Sequence, residues 1–168
     1  MPNPLPNSHN MKHQSQEQLF FKFEEDFVEH NIRCIPMIVR FKLDACGIKL
    51  KLAEWSRMTQ EERQELAMSD CDTPVDAARY REHLLALIMR RTGHRGTLIP
   101  VEQDPAWSRT DEIPYTVNEK IAEMSAEISV QRWRRLTDLQ RFALLKLSYP
   151  GHENKNFPRA MKEFGLEG

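Results

Sequence analysis

The chain lacks the features that most directly announce a chemistry. Its three cysteines, Cys34, Cys46 and Cys71, include no C-x-x-C pair, which argues against a zinc ribbon or a disulfide framework. His30 and Cys34 stand four apart, but no second such pair completes a metal site. The longest apolar runs, Cys34–Val39 and Leu84–Met89, are six residues, far short of the ~18 that a membrane span needs. The N-terminal segment carries one lysine and no apolar core, so no secretory signal is expected. No glycine-rich phosphate loop, G-x-S-x-G or H-E-x-x-H occurs. Charge of one sign is missing too: 24 Lys plus Arg face 25 Asp plus Glu, a net of −1. Nucleic-acid binders usually show a basic excess. These absences describe a soluble, intracellular protein, expected in the cytoplasm, with no cofactor or metal of its own and with neither a nucleic acid nor a membrane as partner.

What remains is helical. A chain of 168 residues matches one domain by length and can bury about 70% of its unfolded surface without staples. Residues 1–18 hold three prolines, several Asn, Gln and Ser, and three apolar residues. Such composition cannot offset its own ordering entropy, so a disordered tail is expected there. A single all-α domain is expected over 19–168, starting where Phe20, Phe23, Phe27 and Val28 follow helical spacing, with a strand through Phe21 and Phe23 as the alternative over so short a run.

The strongest internal signal is a repeat at a constant offset of 78. Ile35–Leu66 aligns without a gap to Ile113–Leu144, with nine identities in 32 positions, against about two by chance from ordinary residue usage. Both copies read W-x-R-[ML]-T-x-x-[EQ]-R-x-x-L, at Trp55–Leu66 and Trp133–Leu144. Two pseudo-repeated helical half-units, about 35–66 and 113–144, therefore make up the expected fold.

Local chemistry sets the element starts. Thr59 with Glu62, and Thr137 with Gln140, are capping boxes that predict helices over 60–68 and 138–147. Trp55 and Trp133 precede those caps in short turns from Leu52 and Val130, placed to close a corner. Pro36 and Pro114 suit a first helical turn, and Thr116 with Glu119 offers a further capping box. Gly47-Ile48 reads as a helix stop. Val39, Phe41, Leu43 and Ala45 alternate with polar residues as a strand would, but Thr116–Ala126 shows no alternation. Equivalent segments share a structure, so 36–46 is predicted helical. Thr73-Pro74 opens a further helix that stops at Gly93. Its inner face is predicted as Ala77, Ala78, Arg81, Leu84, Leu85 and Ile88, with His83 a packing residue. His152–Phe164 is its expected counterpart, stopping at Gly165. Thr92–Glu112 reads as a long surface connection around Trp107.

Three constellations are candidates for binding. Arg33, Arg40 and Lys42, with Asp44 an i, i+4 partner of Arg40, form either a solvated stripe or an anion or partner site. His152, Glu153, Asn154, Lys155 and Asn156 are consecutive polar residues at a helix start, where backbone donors attract an anion. Arg132, Arg134, Arg135 and Arg141 surround Trp133 in helix–turn–helix spacing, though Glu54, Glu61 and Glu62 occupy the first copy. No catalytic residue stands out.

The strings R-C-I-P-M-I-V-R-F-K-L-D-A-C-G-I-K-L (Arg33–Leu50), C-D-T-P (Cys71–Pro74), P-A-W (Pro105–Trp107), L-Q-R-F-A-L (Leu139–Leu144) and H-E-N-K-N-F (His152–Phe157) carry a family likeness. On them the chain resembles the nitrate-reductase-associated proteins, over about Phe21–Leu166. The resemblance implies a non-catalytic accessory role in assembling or maturing assimilatory nitrate reductase, a molybdenum enzyme. It implies the nitrate reductase apo-enzyme as partner and admits molybdopterin guanine dinucleotide as another. A small helical carrier or enzyme for a phosphorylated pterin, using Arg33, Arg40, Lys42 and the His152 segment, is the alternative; a nucleic-acid-binding helical module is the less favoured one.

Overall fold

The computed structural model describes residues 19–25, 34–150 and 155–167. The expected tail over 1–18 lies outside them, as do Phe27 and Val28 of the first predicted helix. Lys22–Glu24 forms a short 3-10 turn. Eight α-helices follow among the described residues: α1 Met37–Cys46, α2 Leu52–Ser56, α3 Gln60–Met68, α4 Pro74–Thr92, α5 Tyr115–Glu123, α6 Val130–Arg135, α7 Asp138–Ser148 and α8 Asn156–Glu163. Among the described residues the fold is all-α apart from one two-stranded antiparallel ladder.

The repeat governs the helix starts. Met37 and Tyr115, Leu52 and Val130, Gln60 and Asp138 open equivalent helices, each pair 78 residues apart. Both Thr capping boxes form: Glu62 N–H donates to Thr59 Oγ1 and Gln140 N–H to Thr137 Oγ1, each at 3.1 Å. The return bonds, from Thr59 N–H to Glu62 and from Thr137 N–H to Gln140, are both 2.9 Å. Core positions repeat as well. Val39 and Val117, Leu43 and Ile121, Trp55 and Trp133, Met58 and Leu136, and Leu66 and Leu144 are all buried.

Each half builds its own apolar cluster, and α1 is shared between them. Val39, Leu43 and Cys46 face the first cluster, with Trp55, Leu66, Leu84 and Ile88. Met37 joins the second, with Trp133, Phe142, Leu144, Phe157 and Met161. Phe41 reaches the same side, its ring 5.0 Å from Trp107 and 5.2 Å from Phe142. This explains the strand-like alternation over 39–45. A helix buried on two sides is apolar on two faces.

The structure corrects several local expectations. Pro36 and Pro114 stand just before their helices in extended conformation, as caps rather than first-turn residues. Thr116 therefore falls inside α5 and makes no box; Glu119 accepts from the Tyr115 hydroxyl instead. Gly47 does stop α1, at φ 75°, and an added Cβ would meet Ile99 O at 2.8 Å. Beyond it, Ile48 and Lys49 pair with Leu98 and Thr97. The 92–112 connection does run over the surface, none of its residues being buried, and this ladder ties it to the first half. Helix α4 buries Tyr80, Leu84, Leu87 and Ile88, with Ala78 exposed and Ala77 and Arg81 half-buried. Leu87 and Tyr80 outcompete the smaller alanines for the core because they bury more apolar area. His83 is exposed, 3.7 Å from Glu65, and not a packing residue. The last helix starts at Asn156, later than His152, and Gly165 follows it at φ 69°. No helix among the described residues is long and apolar enough to cross a membrane.

Candidate functional site

The α1 candidates point three ways. Arg40 Nε donates to Ile35 O at 2.8 Å. Lys42 is buried, and its Nζ donates to Ala67 O at 2.7 Å and Ser69 O at 2.6 Å. A cation there satisfies orphan carbonyls at the C-terminal end of α3 and complements its dipole. Burial lowers the Lys42 pKa, against the opposing pull of Cys71, Asp72 and Asp70. Asp44 pairs with Lys146 across the two halves at 3.0 Å. Arg40 and Asp44 accordingly hold different partners from the i, i+4 one expected.

Arg33, His152, Glu153 and Asn154 lie outside the described residues. Lys155 is exposed at the start of α8 and caps it with no side-chain bond. Asn156 opens that helix, its buried Oδ1 lacking a hydrogen-bond partner among the described residues.

Around Trp133 two of the four basic side chains, Arg132 and Arg141, donate to backbone, while Arg134 and Arg135 are exposed. Arg141, 4% exposed, donates from Nε to Trp107 O at 2.9 Å and from Nη1 to Leu136 O, and it pairs with Asp138. Arg132 Nη2 donates to Gly165 O at 2.6 Å. The Trp133 indole N–H finds Arg109 O at 2.9 Å. The second corner thereby grips the 92–112 connection at two carbonyls.

Sequence reasoning missed Glu24. This carboxylate is 7% exposed and accepts from Phe21 N–H at 3.3 Å and Met37 N–H at 3.1 Å. It caps α1 where Pro36 has no side chain to do so. Burial raises its pKa to about 7, although the Met37 and Phe21 amides and Arg40 pull it down. Glu163 of α8 holds Phe23 N–H at 2.9 Å, and burial raises its pKa too. Glu24 and Met37 are 13 residues apart, so no local pattern could reveal the pairing.

Cys46 and Cys71 are buried, Cys34 half-buried, and all three are unpaired. Burial pushes the Cys46 thiol up to about 12 and the Cys71 thiol to about 11, which suppresses the reactive thiolate. Among the described residues no group of three or more His, Cys, Asp or Glu is placed to hold a metal.

Two open concavities were also not legible in the sequence. One, of about 280 Å³, is lined by Ala106, Pro114, Tyr115, Leu145 and Tyr149, with Arg109 and Glu112 at its rim. The other, about 470 Å³, lies between α1 and α4, with Ala45, Ala77, Ala78, Leu85 and Val101 along it. Both are mainly apolar and fit the docking of another chain better than acid–base chemistry on a small molecule.

No curated protein and no solved structure shows significant similarity to this chain. One family profile does match, over residues 20–164, and its description is "conserved nitrate reductase-associated protein". That span takes in both half-units, both corner tryptophans and the whole of α8. The chain belongs to the conserved nitrate reductase-associated protein family.

Proposed function

We propose that the protein is a non-catalytic accessory factor that helps assemble or mature nitrate reductase by binding its apo-enzyme in the cytoplasm. Family membership across residues 20–164 is the observation that carries this reading. The family's description speaks of association with the reductase, and an accessory protein needs contact surface more than a catalytic constellation. Open apolar concavities supply such surface. The reading is also favoured over a carrier of phosphorylated pterin, because Arg40 and Lys42 already donate to backbone carbonyls. Lys155, exposed at the start of α8, stays available to a partner.

Deleting the gene in a nitrate-grown host tests the proposal. Nitrate reductase activity and its molybdenum-cofactor occupancy are expected to fall while the enzyme's transcript level is unchanged. Normal activity and occupancy in the deletion would contradict it.

A further inference from the structure

The two halves differ sharply where their first helix begins. In the first half that surface is covered: Met37 is 5% exposed and Cys71 7%. The segment leading to Glu24 takes part in covering Met37, together with the apolar cluster of the second half, while Cys71 packs in the first-half cluster. Phe23 shares an apolar cluster with Met37, and the Glu24 carboxylate takes the Met37 amide. The equivalent positions 78 residues on are Tyr115 and Tyr149, and they stand 74% and 40% exposed around the 280 Å³ concavity. The repeat thus shows these two positions buried in one copy and open in the other.

An exposed aromatic pair over an apolar floor gains from being covered, and tyrosine is among the residues that most often anchor interfaces. Charge says what covers it. Between Glu102 and Glu119 the chain carries Glu102, Asp104, Asp111, Glu112 and Glu119, all exposed, against Arg109 alone. Arg109 is itself shared between Asp104 at 2.9 Å and Glu112 at 3.8 Å, so the stretch stays net negative with its one cation engaged. Glu112 lines the concavity three residues ahead of α5, so a negative charge already stands by that helix start. An incoming segment has no need to bring a carboxylate as Glu24 does in the first half. It meets instead a rim of Arg109 and Glu112 set within a net acidic stretch of chain.

We propose that Tyr115, Tyr149, Leu145 and Pro114 form a docking site for a segment of a partner protein that carries an aliphatic or aromatic anchor beside lysine or arginine. The site does not depend on the partner being nitrate reductase, so it stands or falls apart from the accessory role.

The test is selection of a random dodecapeptide display library on the full-length protein, with Tyr115→Ser/Tyr149→Ser as counter-target. Enriched peptides are expected to set an apolar side chain next to Lys or Arg. They should bind the double variant about tenfold or more weakly, the scale of losing interface anchors. Glu112→Gln should weaken them about twofold to fivefold, and added salt should erode the same increment. Circular dichroism confirms that the double variant is folded; if it is not, Tyr115→Ser alone replaces it. No enrichment over the variant, an acidic consensus, or affinity indifferent to Tyr115 would each overturn the proposal.

Discussion

The two half-units share a skeleton and differ in nearly everything laid upon it. Helix starts coincide at an offset of 78, and the corner tryptophans are both buried. Yet Arg63 lies over the Trp55 ring at 5.9 Å, whereas its equivalent Arg141 is buried and bound to carbonyls. Helix α2 is capped from within by Glu54, which accepts Lys51 N–H at 2.8 Å. Its equivalent α6 is capped by Ser129, whose Oγ accepts Arg132 N–H at 3.2 Å. The fourth helix spans 19 residues in the first half and eight in the second. A duplicated corner therefore tolerates different solutions wherever only satisfaction of the backbone is required. What it holds constant is apolar volume.

The largest test of that distinction is truncation of the tryptophans. Trp55→Ala and Trp133→Ala should each lower stability by about 3–5 kcal/mol in urea unfolding. Trp133 should cost more, since its loss also strands Arg109 O. A difference in the opposite direction would break the equivalence of the corners. Next comes the arginine pair. Arg141→Met leaves buried carbonyls unpaired and should cost about 2–4 kcal/mol, whereas Arg63→Met should cost under about 1 kcal/mol. Similar losses would mean that the second corner does not grip the 92–112 connection.

Glu24 sharpens the comparison through pH. Its folded pKa of about 7 lies above the ordinary carboxyl value of 4.5. The folded state then binds the proton more tightly, so this group's contribution is fully present below pH 4.5. It is lost as pH rises toward 7, by up to about 3 kcal/mol at 1.36 kcal/mol per unit. Glu24→Gln should flatten that part of the stability profile; an unchanged slope between pH 4.5 and 7 would show that Glu24 is not the buried carboxyl described. The smallest expected effect is at the seam between the halves. Asp44→Asn removes the pair with Lys146, both partners partly exposed, and should cost about 0.5 kcal/mol, diminishing in salt.

Helix starts were legible in the sequence because a cap is a local device: Thr59 and Thr137 need only the residue three positions on. The duplication then settled the nature of 36–46, which alternation alone misrepresented. The face of α4 was legible in part: Leu84 and Ile88 are buried as the pattern indicates, but Tyr80 and Leu87 take the places expected for Ala78 and its neighbours, a choice left to distant contacts. Nor was the fate of Lys42. Its helix position reads as a solvated charge, and only the carbonyls of Ala67 and Ser69, 25 and 27 residues away, draw it inward. The open surface at Tyr115 was hidden for a similar reason. Its Met37 counterpart is buried among second-half core residues and Phe23, which lies before the repeat begins.

Amide hydrogen exchange at the first residue of α1 and of α5 most directly tests whether one half is closed and the other open. Met37 N–H is held by the Glu24 carboxylate at 3.1 Å, whereas Tyr115 N–H has no hydrogen-bond partner among the described residues. The account predicts at least about tenfold slower exchange for Met37 than for Tyr115, after correction for sequence, at a pH where the fold is intact. Equal exchange at the two positions, or greater protection at Tyr115, would contradict it.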